Sequence, residues 1–325
     1  MSGTSSSTRS LPTTAVEAAP SEIHSSGNQL LRVVSVSLGS SSRDHIAHVE
    51  LLGHSFTIER RGTDGNLDKA CRIIQELDGR VAAIGLGGID LYVVVGNRRY
   101  VLPDAARMAK MAKTTPVVDG SGLKDTLERE TIRRLQRDRV LDFKGAKVLL
   151  VSAVDRFGMA EQLVESGAHV VFGDLQFLLG VPLPMRKLST LKRLGSIILP
   201  VATRLPYKML YPTGEKQKTI KSSRNHQKFY HEAEIIAGDF LLIRSYLPDR
   251  ISGKTILTNT VTQQDIELLR ARGARRLITT TPEFEGRSFG TNVMEGVFAA
   301  LGARTSIEYS NLLQQLGWQP RVVDF

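Results

Sequence analysis

The sequence predicts an α/β protein of two domains: an N-terminal α/β substrate domain, then a Rossmann-like parallel-sheet domain. Three observations predict it. A length of 325 residues suits about two ordinary domains. Apolar residues make up 41 % and charged residues 23 %, which excludes a largely disordered chain, a collagen-like repeat and a disulfide scaffold. Beyond Lys144-Gly145 the pattern becomes strand–helix alternation, as a parallel sheet with covering helices requires.

Residues 1–29 are rich in Ser and Thr, lack an apolar signal core and read as a disordered tail. The first domain spans 30–143. Leu31–Leu38 alternates and is β-branched, which predicts a strand. Two short strands follow at Ala47–Leu52 and Ser55–Arg60, with a turn at Gly53-His54. Leu67, Cys71, Ile74 and Leu77 recur at helical spacing and predict a helix over 66–77. Val81–Leu86 reads as a buried strand ending in Gly87-Gly88. Leu91–Val95 and Arg99–Leu102 flank a Gly96-Asn97 hairpin turn. Pro103 starts a helix to Lys113, Pro116–Asp119 is a short strand, and Ser121 caps a long helix to Arg137. In the second domain, 144–325, strands are predicted at 147–152, 169–173, 235–238, 255–258 and 276–280. Helices fall at 158–166, 262–272 and 292–301.

The formal net charge is +10, and its location is informative. A basic insertion at 183–228 holds eleven Lys/Arg and one acid, Glu215, so it accounts for the whole excess. That pattern predicts one anionic partner at one place, a small acidic substrate above all. Within it, Lys208 and Lys216 read as substrate-binding cations on a loop able to close over an anionic ligand. Residues 186–204 form a basic amphipathic stretch. A solvated domain-covering helix is the favoured reading, with contact to an anionic membrane surface as the alternative. Aromatics are 6 % and no nucleic-acid module is present, so no specific nucleic-acid partner is expected. No apolar run reaches the length of a membrane span, and one cysteine, Cys71, cannot pair internally; the expected compartment is the cytoplasm. Cys71 lies on an apolar helix face as a core residue. His45 and His48 fall on opposite strand faces, so no metal site is expected.

The strongest chemical signal is the βαβ unit from Val148 to Asp174. Ser152 and Asp174 are 22 residues apart, the layout of a dinucleotide site. The helix N-terminus at Ser152, Arg156 and Gly158 would face the pyrophosphate, and Asp174 the ribose hydroxyls, favouring NAD over NADP. The glycine fingerprint is missing, Gly158 alone remaining, and Asp155 opposes a pyrophosphate unless Arg156 offsets it; an ordinary βαβ unit is the plain alternative. Asp119 precedes a Gly-Ser-Gly loop and a helix N-terminus. It either caps that turn or, in an interdomain cleft, serves as a general base, with Lys124 the nearest cation. Thr280 and Thr281 end a strand and open a small-residue loop to Asn292, where backbone N–H groups can hold an anion.

The run Asp119–Leu123, the following helix, Phe143-Lys144-Gly145 and the next strand resemble the shikimate/quinate dehydrogenase layout. The chain from Val33 onward resembles a bacterial group labelled quinate 5-dehydrogenase, through residues 34–45, 84–92, 154–161, 205–217 and 279–296. The resemblance implies an NAD(P)-dependent oxidoreductase acting on a hydroxylated carboxylic acid such as quinate or shikimate. It implies that Asp119 is the catalytic aspartate and that Ser40 and Ser41 hold the substrate carboxylate. It further implies that Thr280 and Thr281 line the nicotinamide side and that Asp174 binds ribose. The family's Asn-Val-Thr-x-Pro-x-Lys stretch is absent, leaving Lys110, Lys113 and Lys124 as candidates by proximity. A nucleotide- or anion-binding regulatory protein on the same scaffold, without hydride transfer, is the alternative.

Overall fold

A computed structural model describes residues 30–96, 98–204, 224–259, 261–281, 283–284, 287–288 and 290–325. The expected tail at 1–29 lies outside them. The first half contains β1 (Leu31–Ser37), β2 (His45–Leu51), β3 (His54–Gly62), α1 (Leu67–Leu77), β4 (Ala83–Gly87), β5 (Tyr92–Val95) and β6 (Arg98–Val101). It continues with α2 (Pro103–Ala109), β7 (Val117–Val118) and α3 (Ser121–Arg137). The second half contains β8 (Lys147–Leu150), α4 (Phe157–Glu165), β9 (His169–Phe172), α5 (Asp174–Leu179), α6 (Leu188–Ala202), α7 (Arg224–Glu232), β10 (Ile235–Gly238) and α8 (Phe240–Ser245). There follow β11 (Thr255–Thr258), α9 (Gln263–Ala271), β12 (Arg276–Thr279), β13 (Glu283–Phe284) and β14 (Arg287–Ser288). The chain closes with α10 (Thr291–Ala300), α11 (Ser306–Gln315) and β15 (Arg321–Asp324).

Two sheets dominate. The first runs β2-β3-β1-β4-β7, parallel except for β2, which pairs antiparallel with β3. The second runs β15-β12-β11-β10-β8-β9, parallel except for β15. In each sheet strand order reverses once, between β1 and β4 and between β8 and β10. Such reversals open a crevice beyond the carboxyl ends of the strands, where ligands of open α/β sheets bind. The central strands are buried on both faces, which suits the Val- and Ile-rich β1 and β10 and the small and apolar residues of β4.

The turns carry local chemistry. The β2–β3 turn falls on Leu52-Gly53, both at positive φ (54° and 76°), one residue before the expected turn. That pair suits the twist of a two-residue hairpin. Helix α2 ends at Ala109, short of the expected Lys113, because Asp78 collects the N–H groups of Lys113, Thr114 and Thr115 at 2.8–3.0 Å and turns the chain away. Those bonds hold the Asp78 carboxyl well below the usual carboxylate range.

The cores explain how the halves join. One apolar cluster runs from Val34, Ile74 and Ile84 through Ile132, Leu135 and Phe143 to Val148 and Leu163, so α3 and the strand entry after it bind the two sheets into one interior. On the opposite face of the first sheet, Val33 and Phe56 pack with Val293, Phe298, Leu313 and Trp318. Helices α10 and α11 therefore belong to the first lobe, which corrects the expectation of 144–325 as one domain. The chain recrosses only for β15, an edge strand of the second sheet.

Candidate functional site

Strand β7 delivers Asp119 into a tight turn. Asp119 is 7 % exposed, and its Oδ2 accepts the N–H groups of Leu91 (2.5 Å) and Tyr92 (3.2 Å). Its Oδ1 accepts the Ser121 N–H (3.1 Å) and hydroxyl (2.7 Å). Gly120, at φ 89°, is the N-cap of α3 in place of Ser121. A Cβ on Gly120 would lie 2.4 Å from the Asn292 nitrogen, so α10 leaves room only for glycine. Glu295 of α10 accepts the Gly120 N–H at 2.6 Å and the Tyr309 hydroxyl at 3.0 Å. Burial and neighbouring Asp119 push Glu295 up to about 7. The expected general base is thus a structural clasp: both carboxylate oxygens of Asp119 are saturated by four donors that fix the strand-to-helix turn to the Leu91–Tyr92 backbone.

Lys124, one turn into α3, has the setting that Asp119 lacks. Its ammonium lies 3.0 Å from Asp155 Oδ1, beyond β8 of the second sheet, and 3.7 Å from Asp90 Oδ2, beyond β4 of the first. The carboxyl ends of both sheets therefore face each other across this one cation. Solvent reaches all three side chains, 12 % of Lys124, 20 % of Asp90 and 34 % of Asp155. Burial pulls the ammonium down, but Asp155 and Asp90 outweigh it and keep Lys124 charged. Burial also works against the Asp155 anion; Lys124 and Arg156 override it and hold Asp155 well below the usual carboxylate range. Asp90 goes the other way. Burial, with Asp155 and Asp119 nearby, outweighs Lys124 and pushes it up to about 7, and it hydrogen-bonds Asp155. Two carboxyls this close ionise unequally, one giving its proton up and the other keeping it.

The βαβ unit forms as expected, yet its residues are occupied within the protein. Both oxygens of Asp174 accept backbone N–H groups, Ala153 at 3.1 Å and Val154 at 2.8 Å, and the residue is 3 % exposed. Burial pushes it up to about 6 against the pull of those donors. Arg156, 4 % exposed, pairs with buried Glu128 of α3 and with Asp239 at 3.2 Å. Asp239 caps α8 and receives the Asn259 amide at 3.0 Å. A Cβ on Gly158 would lie 2.0 Å from Asp125 Oδ1, so that glycine serves the α3–α4 contact. Ser152, Thr280 and Thr281 are all buried, and among the described residues the Ser152 hydroxyl has no hydrogen-bond partner. The start of α4 does not fit a pyrophosphate: a carboxylate holds the loop N–H groups, a second anion stands at Asp155, and the cation beside them is spent on Glu128 and Asp239. Asp174, expected at the ribose, and Arg156 and Gly158, expected at the phosphates, are thus engaged by partners within the protein.

Ser40 and Ser41 lie in an exposed turn after β1. Ser40 Oγ accepts the Ser42 N–H at 3.2 Å, and the Ser41 N–H goes to Asp64 at 2.7 Å. Arg60 ties this turn down, donating to the Ser40 carbonyl (2.9 Å), Asp44 (2.7 Å) and Ser37 Oγ (3.0 Å). The expected substrate-binding Lys208 and Lys216 lie outside the described residues, as does Pro282. Asn292 donates to Ser35 Oγ at 2.8 Å, so the end of the 279–292 segment fastens α10 to the first sheet. Among the described residues, no group of three or more His, Cys, Asp or Glu is arranged to hold a metal. Sequence reasoning passed over Asp90, Glu128, Asp239 and Glu295. Only Asp90 had a signal, a strand ending in Gly87-Gly88 with an acid two residues on.

The model described as Domain of unknown function (DUF8754) matches residues 122–325, and that described as Domain of unknown function (DUF8753) matches 32–119. No curated protein matches the chain. Similar solved structures include a sugar ABC transport substrate-binding protein from Bordetella parapertussis, 12 % identical, covering 91 % of this chain and 89 % of that one, TM-score 0.38. Hetero-hexameric glutamate dehydrogenase from Thermus thermophilus is 13 % identical, covering 90 % and 70 %, TM-score 0.39. L-tryptophan dehydrogenase from Nostoc punctiforme is 12 % identical, covering 88 % and 80 %, TM-score 0.35. Dehydrogenases and sugar-binding proteins thus stand side by side among these neighbours, none above a TM-score of 0.39.

Proposed function

This chain belongs to the family described as Domain of unknown function (DUF8754), and we propose that it acts on a hydroxyl group of a small polar molecule held between its two parallel sheets, with Asp90 and Lys124 as the acid–base pair. One observation carries the reading: the Lys124 ammonium set between Asp90 of one sheet and Asp155 of the other, partly open to solvent. A proton-transfer group works best when its pKa lies near the working pH, and Asp90 at about 7 meets that condition. Lys124 is the fixed cation. It holds the substrate oxygen by a charge-assisted hydrogen bond and stabilises negative charge as the proton leaves. Asp90 takes or returns that proton. Asp155 keeps Lys124 in place and keeps it charged.

Oxidation of a hydroxylated carboxylic acid such as quinate, with NAD(P), is the second reading. The family resemblance supports it, and so does a Lys–carboxylate pair placed for a hydroxyl. The start of α4 opposes it. Calorimetric titration with NAD and NADP separates the two. No heat from either is the expected result. Binding of NAD that weakens in Asp174→Ala would establish the dinucleotide site and overturn the assignment of Asp174.

The acid–base reading is tested by calorimetry with polyols and hydroxy acids from pH 5 to 9. A ligand whose affinity turns over about pH 7, a dependence lost in Asp90→Asn, and whose binding is lost in Lys124→Met supports it. A ligand bound equally by both variants would place the site elsewhere.

A further inference from the structure

Seven consecutive residues, Leu178 to Pro184, carry no polar side chain, and every one of them is exposed. Leu178, Leu179, Val181 and Leu183 are 54, 53, 40 and 59 % exposed. On the outward side of α6, Ile197 and Val201 reach 73 % and 67 %. So dense a run of exposed apolar side chains marks an interaction site. Its charge is one-sided. From Gly180 to Arg204 there is no acid, and Arg186, Lys187, Arg193 and Arg204 are all exposed. The inner side of α6 is otherwise engaged: Lys192 pairs with Glu161 at 3.0 Å, and Gly195 packs on Val95.

We propose that the end of α5 with the 180–184 loop, together with the outer face of α6, docks on an anionic lipid bilayer surface. The backbone of the loop is the discriminating observation. The Gly180 and Val181 N–H groups go to the Leu175 carbonyl, the Leu183 N–H goes to Val181, and Pro182 and Pro184 have none. No N–H from 180 to 184 is left for a partner strand, so this loop is poorly suited to β-pairing with a protein edge. A second copy of the chain is disfavoured because the same face would bring four cations against four. An anionic headgroup layer takes those cations while the leucines enter the acyl boundary. Apolar insertion and charge each give weak binding alone and stable binding together. Among the described residues no helix is long and apolar enough to cross a membrane, so the contact is peripheral.

The test is sedimentation of the full chain with vesicles of phosphatidylcholine alone or mixed with phosphatidylglycerol. Binding to the mixed vesicles is expected, falling roughly tenfold or more in about 0.5 M salt, with little binding to phosphatidylcholine alone. Leu178→Ser with Leu183→Ser is expected to abolish it, and Arg186→Glu with Arg193→Glu likewise. Ile197→Ser with Val201→Ser, on a different element, guards against a local folding defect, and circular dichroism checks each variant. Absence of binding to the mixed vesicles overturns the proposal. So does binding indifferent to the leucine changes, or self-association in solution that the leucine changes abolish.

Discussion

Asp119 and Asp90 stand beyond neighbouring strands of one sheet, β7 and β4, and the chain treats them oppositely. Asp119 is wrapped by four donors, three of them backbone N–H groups, and faces inward. Asp90 faces Lys124 and a second carboxylate and keeps contact with solvent. A carboxylate saturated by backbone donors fixes a turn; one set against a cation and another carboxylate has a proton to exchange. The residue type and the strand-end position are shared, so the donors decide the role.

The comparison can be broken at its structural side first. Gly120→Ala forces a Cβ against the α10 backbone at positive φ, and a loss of roughly 5 kcal/mol or more is expected, read by denaturant unfolding. Glu128→Ala strips the buried Arg156 guanidinium of its closest partner, leaving Asp239 and the nearby Asp155, at an expected cost of about 3–5 kcal/mol. Replacing both Glu128 and Arg156 by methionine should recover most of that loss.

Asp119→Asn turns one acceptor oxygen into a donor facing N–H groups, with about 1–3 kcal/mol expected. Asp90→Asn should cost less than about 1 kcal/mol while removing any activity of the cleft. If Asp119→Asn kept full stability and lost ligand binding, the two roles would be reversed.

A separate test of the buried carboxyls is in pH. Asp90 and Glu295 at about 7 and Asp174 at about 6 hold protons in the folded state that the unfolded chain, with carboxyls near 4, has released. Their contribution to stability is complete below pH 4 and is lost as pH rises towards 7. Chemical denaturation at pH 5, 6, 7 and 8 should show that decline, and it should be shallower in Asp90→Asn and in Glu295→Gln.

Much of this architecture is legible in the residues. The apolar runs at 31–37, 83–87, 147–150 and 235–238 and the helical spacing between them lead to a parallel α/β fold, because buried strands and covering helices leave period and composition signals. Which sheet a helix covers leaves none. The apolar faces of 291–300 and 306–315 would suit either sheet, and only the contact of Val293 and Phe298 with Val33 and Phe56 decides it. The site was half legible. Lys124 was found by proximity to Asp119, but the donors that disable Asp119 come from Leu91 and Tyr92, some 28 residues away, and no local pattern announces them. Asp174 fits a ribose contact by spacing, yet two N–H groups of the preceding crossover reach it first.

The return of α10 and α11 to the first sheet also sets an order of assembly. Strands β1, β3 and β4 are made early, but the face that carries Val33 and Phe56 stays uncovered until Trp318 has been synthesised. The lobe begun first therefore waits for nearly the whole chain, with only β15 of the second sheet still to follow. A nascent chain halted near residue 290 should hold an exposed apolar sheet face, the kind of surface chaperones bind and unfinished chains aggregate through.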